Sequence, residues 1–101
     1  MENSNQFMVD FILPDVINDT FMDCIPRQRA VVNKLFLEGK LTTYALALEN
    51  SRLWAIVNAQ TQNEVIEILN KLPLTQLVRY RIFQLNFCNI VNAILPEFSS
   101  N

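Results

Sequence analysis

In the stretch VDFILP one carboxylate, Asp10, stands between Met8 and Ile12 on one face of an alternating run. A carboxylate in apolar surroundings can take a proton from carbon beside a carbonyl and return it elsewhere, because desolvation favours its neutral form. Arg29 adds a planar guanidinium suited to the carboxylate of an acidic ligand. Tyr44 and Tyr80 can polarise a carbonyl or relay a proton, and Trp54 can line a pocket. Each has a structural reading beside the chemical one. Asp10 reads as a hydrogen-bonded strand-end anchor, Arg29 as a snorkelling or acid-paired arginine, and the three aromatic residues as packing.

Other chemistries are removed by composition. Histidine is absent, which excludes Ser-His-Asp and Cys-His nucleophilic schemes and the common histidine metal sites. Gly39 is the sole glycine, so no glycine-rich loop exists to cradle phosphate. Neither a metal nor a cofactor is expected. Cys24 and Cys88 have no metal-ligand or redox spacing and read as reduced thiols. A net charge of −2 with scattered Lys and Arg weighs against nucleic acid or an anionic membrane as partner. No secretion signal opens the chain and no apolar run approaches the ~20 residues of a membrane span. The expected location is cytoplasmic.

Candidate residues need elements to hold them, and 101 residues suit one small domain. Phe7, Val9, Phe11 and Leu13 alternate with Met8, Asp10 and Ile12, which predicts a first strand ended by Pro14. A helix starts between Asn18 and Pro26, with its firm part near Ile25 because Pro26 suits a first turn. Ile25, Val32, Leu35 and Phe36 form its apolar stripe, with Arg29 at the margin, and Gly39 stops it. Leu41 to Glu49 and Leu53 to Ala59 read as strands joined by turn residues. Thr61 and Glu64 have capping-box spacing ahead of a second helix, which Pro73 ends. Leu77 to Phe87 then reads as a fourth strand.

The order βαββαβ predicts an α+β, ferredoxin-like fold: a four-stranded antiparallel sheet with two helices on one face. The domain is expected over residues 7–88, after a frayed start at 1–6 and before an apolar C-terminal arm at 89–101. Half the residues are hydrophobic, more than a domain of this size easily hides, since it buries only about 60–65% of its unfolded surface. Both sheet faces are apolar. The uncovered face is therefore expected to meet a second copy, forming a dimeric α/β barrel, with a homo-oligomer as the working state. On the fourth strand Val78, Tyr80, Ile82 and Gln84 share one face, and Leu77, Arg79, Arg81, Phe83 and Leu85 the other. The sequence does not say which of them looks inward.

With its elements in order, the chain resembles the muconolactone delta-isomerase family. VDFILP (Val9 to Pro14), PRQR (Pro26 to Arg29), EGK (Glu38 to Lys40) and LPL (Leu72 to Leu74) occur in the family's order and at similar spacing, over about residues 7 to 88. The resemblance implies a ferredoxin-like subunit, a barrel dimer that often builds a larger ring, and a cofactor-independent proton shift on a small lactone acid in aromatic-compound degradation. Asp10 matches the family's Asp-apolar step. The chain departs from the pattern in lacking the family's histidines.

The expected function is thus isomerisation of a small unsaturated lactone or ring acid. Asp10, Tyr44 and Tyr80 would be catalytic, with Arg29 and Trp54 on the substrate, in a cleft between helix and sheet. Two alternatives stay open: a non-catalytic small-molecule-binding or assembly module, and a cofactor-free monooxygenase with Trp54 and a tyrosine facing its ligand. Fold does not choose among them.

Overall fold

Strict alternation shapes the sheet, as the computed structural model shows over the residues it describes, 5–88. In β1 (Asn5–Ile12) the side chains of Phe7, Val9 and Phe11 are buried on one face. In β3 (Arg52–Ala59) every second residue, from Leu53 to Ala59, is buried in the same way. With β2 (Leu41–Ala47) and β4 (Arg79–Gln84) they form one sheet in the order β2-β3-β1-β4, all neighbours antiparallel. Two helices, α1 (Asp19–Leu37) and α2 (Gln62–Leu69), bury Phe21, Val32, Leu35, Val65 and Leu69 in one core with β1 and β3. This is the ferredoxin-like α+β fold that the order of elements predicts.

Element boundaries differ from the sequence reading where local chemistry competes. The first helix begins at Asp19, the early end of the expected interval from Asn18 to Pro26 and ahead of the firm part expected near Ile25, because the Asn18 side chain accepts the Phe21 N–H at 2.9 Å and caps it. Pro26 then lies inside the helix. Pro26 itself is exposed, and so is Met22, whose carbonyl loses its donor. That carbonyl can turn to water while Phe21 and Cys24 stay in the core. Strand β1 takes in Asn5 and Gln6, which the sequence reading assigned to a frayed start. Residues 48–50 leave β2 as a short 3₁₀ turn, and residues 73–77 form another before β4. The expected C-terminal arm at 89–101 lies outside the described residues.

Several stops fall where they are predicted. Gly39 adopts φ +73° after α1. Its N–H reaches the Phe36 carbonyl, and the Lys40 N–H the Leu35 carbonyl, which together close the helix end as a Schellman motif. Thr61 caps α2 by accepting the Glu64 N–H at 3.2 Å. The Glu64 carboxylate accepts from the N–H of Gln60, one residue ahead of the expected capping-box partner.

Register settles which set of β4 side chains faces the helices. Phe11 stands opposite Tyr80 and Val9 opposite Ile82, while Asp10 stands opposite Arg81 and Ile12 opposite Arg79. Tyr80 and Ile82 therefore join the helix-side core. Arg79, Arg81 and Phe83 share the other face with Met8, Asp10, Trp54 and Ile56. No described element covers that face, and no described helix is long and apolar enough to cross a membrane.

Candidate functional site

A cleft of about 530 Å³ opens between α1 and the β2 edge of the sheet. Helical spacing builds its first wall, since Phe21, Ile25, Gln28, Arg29, Val32 and Phe36 recur every three or four residues along one side of α1. The second wall comes from alternate residues, Tyr44 and Leu46 of β2 with Leu53 of β3. Leu74, in the turn before β4, closes one end. The walls are overwhelmingly apolar. Among the described residues, polar side chains enter through Gln28, Arg29, Asn33 and Tyr44 only.

Gln28 is the least expected of them. It is 3% exposed in the middle of the α1 apolar stripe, where an amide without partners would be costly. It has two partners. Its Oε1 accepts the Leu74 backbone N–H at 3.0 Å, and its Nε2 donates to the Tyr44 hydroxyl oxygen at 2.8 Å. Burial holds the Tyr44 phenol above its ordinary value of 10.0; the Gln28 hydrogen bond opposes that shift and nearby Cys24 adds to it. Tyr44 accordingly stays protonated at neutral pH, accepting from Gln28 while keeping its own proton.

The predicted site residues are divided between two faces of the sheet. Arg29 and Tyr44 meet in the cleft. Tyr80 is on the same side of the sheet but on β4, its ring 6.0 Å from that of Phe11, and it does not line the cleft. Asp10 and Trp54 are cross-strand neighbours on the opposite face. Asp10 is only 7% exposed. Its Oδ2 accepts from Arg52 Nη1 at 2.7 Å, while its buried Oδ1 has no hydrogen-bond partner among the described residues. Asp10 thus has an arginine within hydrogen-bond reach, as expected, but not inside the helix–sheet cleft, because residues 10 and 44 project from opposite sides of the sheet.

Phe36, expected in the α1 core stripe, is partly exposed at the cleft rim. Gln28 had a sequence signal: a polar residue at the stripe spacing set by Ile25, Val32 and Leu35. Arg52 had none, since its proximity to Asp10 follows from the pairing of β1 with β3. A second, more open hollow of about 450 Å³ lies between the end of β1 and the start of β4, edged by Asp15, Gln76 and Arg79. Among the described residues no group of three or more His, Cys, Asp or Glu side chains could hold a metal ion.

No protein-family model matches the chain, and no curated protein matches it.

Proposed function

We propose that the protein is a small-molecule-binding module whose helix–sheet cleft takes a compact, mainly apolar acid. The observation that carries this reading is the cleft itself. Its volume lies in the range of ligand sites, its walls are apolar, and its few polar groups converge from α1 and β2. The apolar body of the ligand would displace water from Phe21, Ile25, Leu46 and Leu53. Arg29, at the exposed edge, would bind the carboxylate, with Tyr44 offering a hydrogen bond inside.

Binding is favoured over a carboxylate-driven proton shift because, among the described residues, no carboxylate lines the cleft. The monooxygenase alternative loses its support in the same way, as Trp54 is across the sheet from Tyr44. Isomerisation of a lactone acid is the second reading. Its support is the ordered set of motifs shared with the muconolactone isomerases, together with the shared order of elements. It would use the same cleft and a ligand of the same class.

The test is titration of the protein with benzoate, cyclohexanecarboxylate and an unsaturated lactone acid, followed by amide chemical shifts. Shifts confined to α1, β2 and the Leu74 turn are expected. Arg29→Ala should weaken the acids about tenfold and leave uncharged analogues unchanged. Absence of binding, or shifts located elsewhere, would overturn the proposal. Deuterium taken up from solvent by the lactone acid would transfer the conclusion to isomerisation.

The open sheet face, in this reading, receives a second copy of the chain. It combines half-buried Met8, Ile12, Trp54 and Ile56 with Phe83, which is 46% exposed. It also holds two exposed arginines, Arg79 and Arg81, around the Asp10–Arg52 pair. A two-fold interface must be self-complementary, and apolar side chains can pack on their own copies. Sedimentation equilibrium should find a dimer in the wild type and a monomer in Ile56→Asp. A wild-type monomer would sink the idea.

A further inference from the structure

We infer that Gln28 sets the hydrogen-bond polarity of the cleft, so that the site selects ligands presenting an acceptor to Tyr44. The inference rests on the cleft being the ligand site, as proposed above. It begins at a backbone group that can only donate. The Leu74 N–H points at the Gln28 side chain at 3.0 Å, so the atom facing it must be the amide oxygen. That fixes the amide, and its NH₂ end faces the Tyr44 oxygen at 2.8 Å. The Tyr44 oxygen thereby accepts, and its own proton has no acceptor among the described residues. The proton is left for whatever enters the cleft that Tyr44 lines. A chain of three protein groups, Leu74 N–H, Gln28 and Tyr44, runs toward the ligand in one direction only.

One end of this arrangement is a structural need: Leu74 is 4% exposed, and its buried N–H needs an acceptor that leucine at position 28 would not supply. The other end is not. Any acceptor at position 28 would satisfy Leu74, whereas the NH₂ end of the amide is directed at Tyr44, the one phenol lining the cleft among the described residues. The ligand class implied is an apolar ring or short chain with a carbonyl or carboxylate oxygen near Tyr44. An N–H group at that point would meet the Tyr44 proton head-on.

Three uncharged bicyclic probes isolate the effect from Arg29: 1-indanone as acceptor, indole as donor and indane as neither. Wild type should bind 1-indanone at least about tenfold more tightly than indole. Tyr44→Phe should reduce 1-indanone to the level of indane. Gln28→Glu makes position 28 an acceptor, so Tyr44 must donate to it and turn lone pairs toward the ligand. In that variant the preference should invert when the glutamate is ionised and return when it is protonated, titrating across about pH 5 to 9. The wild-type preference should stay flat over the same range. Equal binding of all three probes in the cleft by wild type would overturn the polarity inference alone. So would an unchanged, pH-independent ketone preference in Gln28→Glu, or a preference that survives Tyr44→Phe. Failure of every probe to enter the cleft would overturn the binding reading, and the inference with it.

Discussion

Phe11→Ala is expected to lower the unfolding free energy by about 3–5 kcal/mol, a large part of the stability of a small domain at about 5–15 kcal/mol. The reason is position as much as size. Phe11 is 1% exposed on β1, and it lies between Leu53 of β3 and Tyr80 of β4. Its ring meets that of Tyr80 at a centroid distance of 6.0 Å with the planes tilted by 58°. Alanine would remove the ring and leave a cavity that β1, paired on both sides, cannot collapse to fill. Phe11→Leu keeps much of the volume and should cost about 1–1.5 kcal/mol. Urea unfolding followed by Trp54 fluorescence measures both. A loss under about 1 kcal/mol for the alanine variant would show that the centre of the sheet is not the centre of the core.

Arg52→Leu should cost about 2–3 kcal/mol, less than the 3–5 typical of breaking a fully buried ion pair, because the Arg52 side chain is 35% exposed and water can reach it. The buried partner makes the effect large. Asp10 Oδ2 accepts from Arg52 and its Oδ1 accepts from nothing, so without Arg52 a buried carboxylate keeps no donor among the described residues. Asp10→Leu is expected to cost under about 1 kcal/mol, since Arg52 can turn to solvent. The double variant should fall near Asp10→Leu alone, giving strong non-additivity. Chemical denaturation at neutral pH decides the matter, at one protein concentration because a dimer would add its own linkage. If Arg52→Leu cost no more than Asp10→Leu, the pair would be a surface contact in energetic terms.

Asp10 also shows how much of the candidate site could be read in advance. Its alternation with Phe7, Val9, Phe11 and Leu13 placed it on the less apolar side of β1, and a helix-covered face takes the more apolar side. That logic alone assigns Asp10 away from a helix–sheet cleft; the match to the isomerase motif drew it in. Arg29 was legible as a residue at the margin of the α1 stripe, and that margin is the cleft edge. Gln28 was legible only as an anomaly, because its meaning depends on Leu74 and Tyr44, distant in sequence. The α1 start was bracketed between Asn18 and Pro26 rather than fixed, since two local signals compete there, the Asn18 cap and the Pro26 ring. Burial of Phe21 and Cys24 decides between them.

Local rules were sufficient for the elements and their order: alternation for β1 and β3, caps and stops at Thr61 and Gly39, and Pro14 after β1; Pro73, expected to end α2, instead opens the 3₁₀ turn, and α2 already ends at Leu69. From these alone the ferredoxin-like arrangement follows, because side-chain period and turn chemistry act over a few residues and handedness restricts the crossovers. Only the tertiary structure decided which face of β4 carries its arginines, that Arg52 reaches Asp10, and that Tyr44 shares a cleft with Arg29 rather than with Asp10. Those facts depend on register between strands far apart in the chain, where a shift of one residue exchanges every side chain between the two faces.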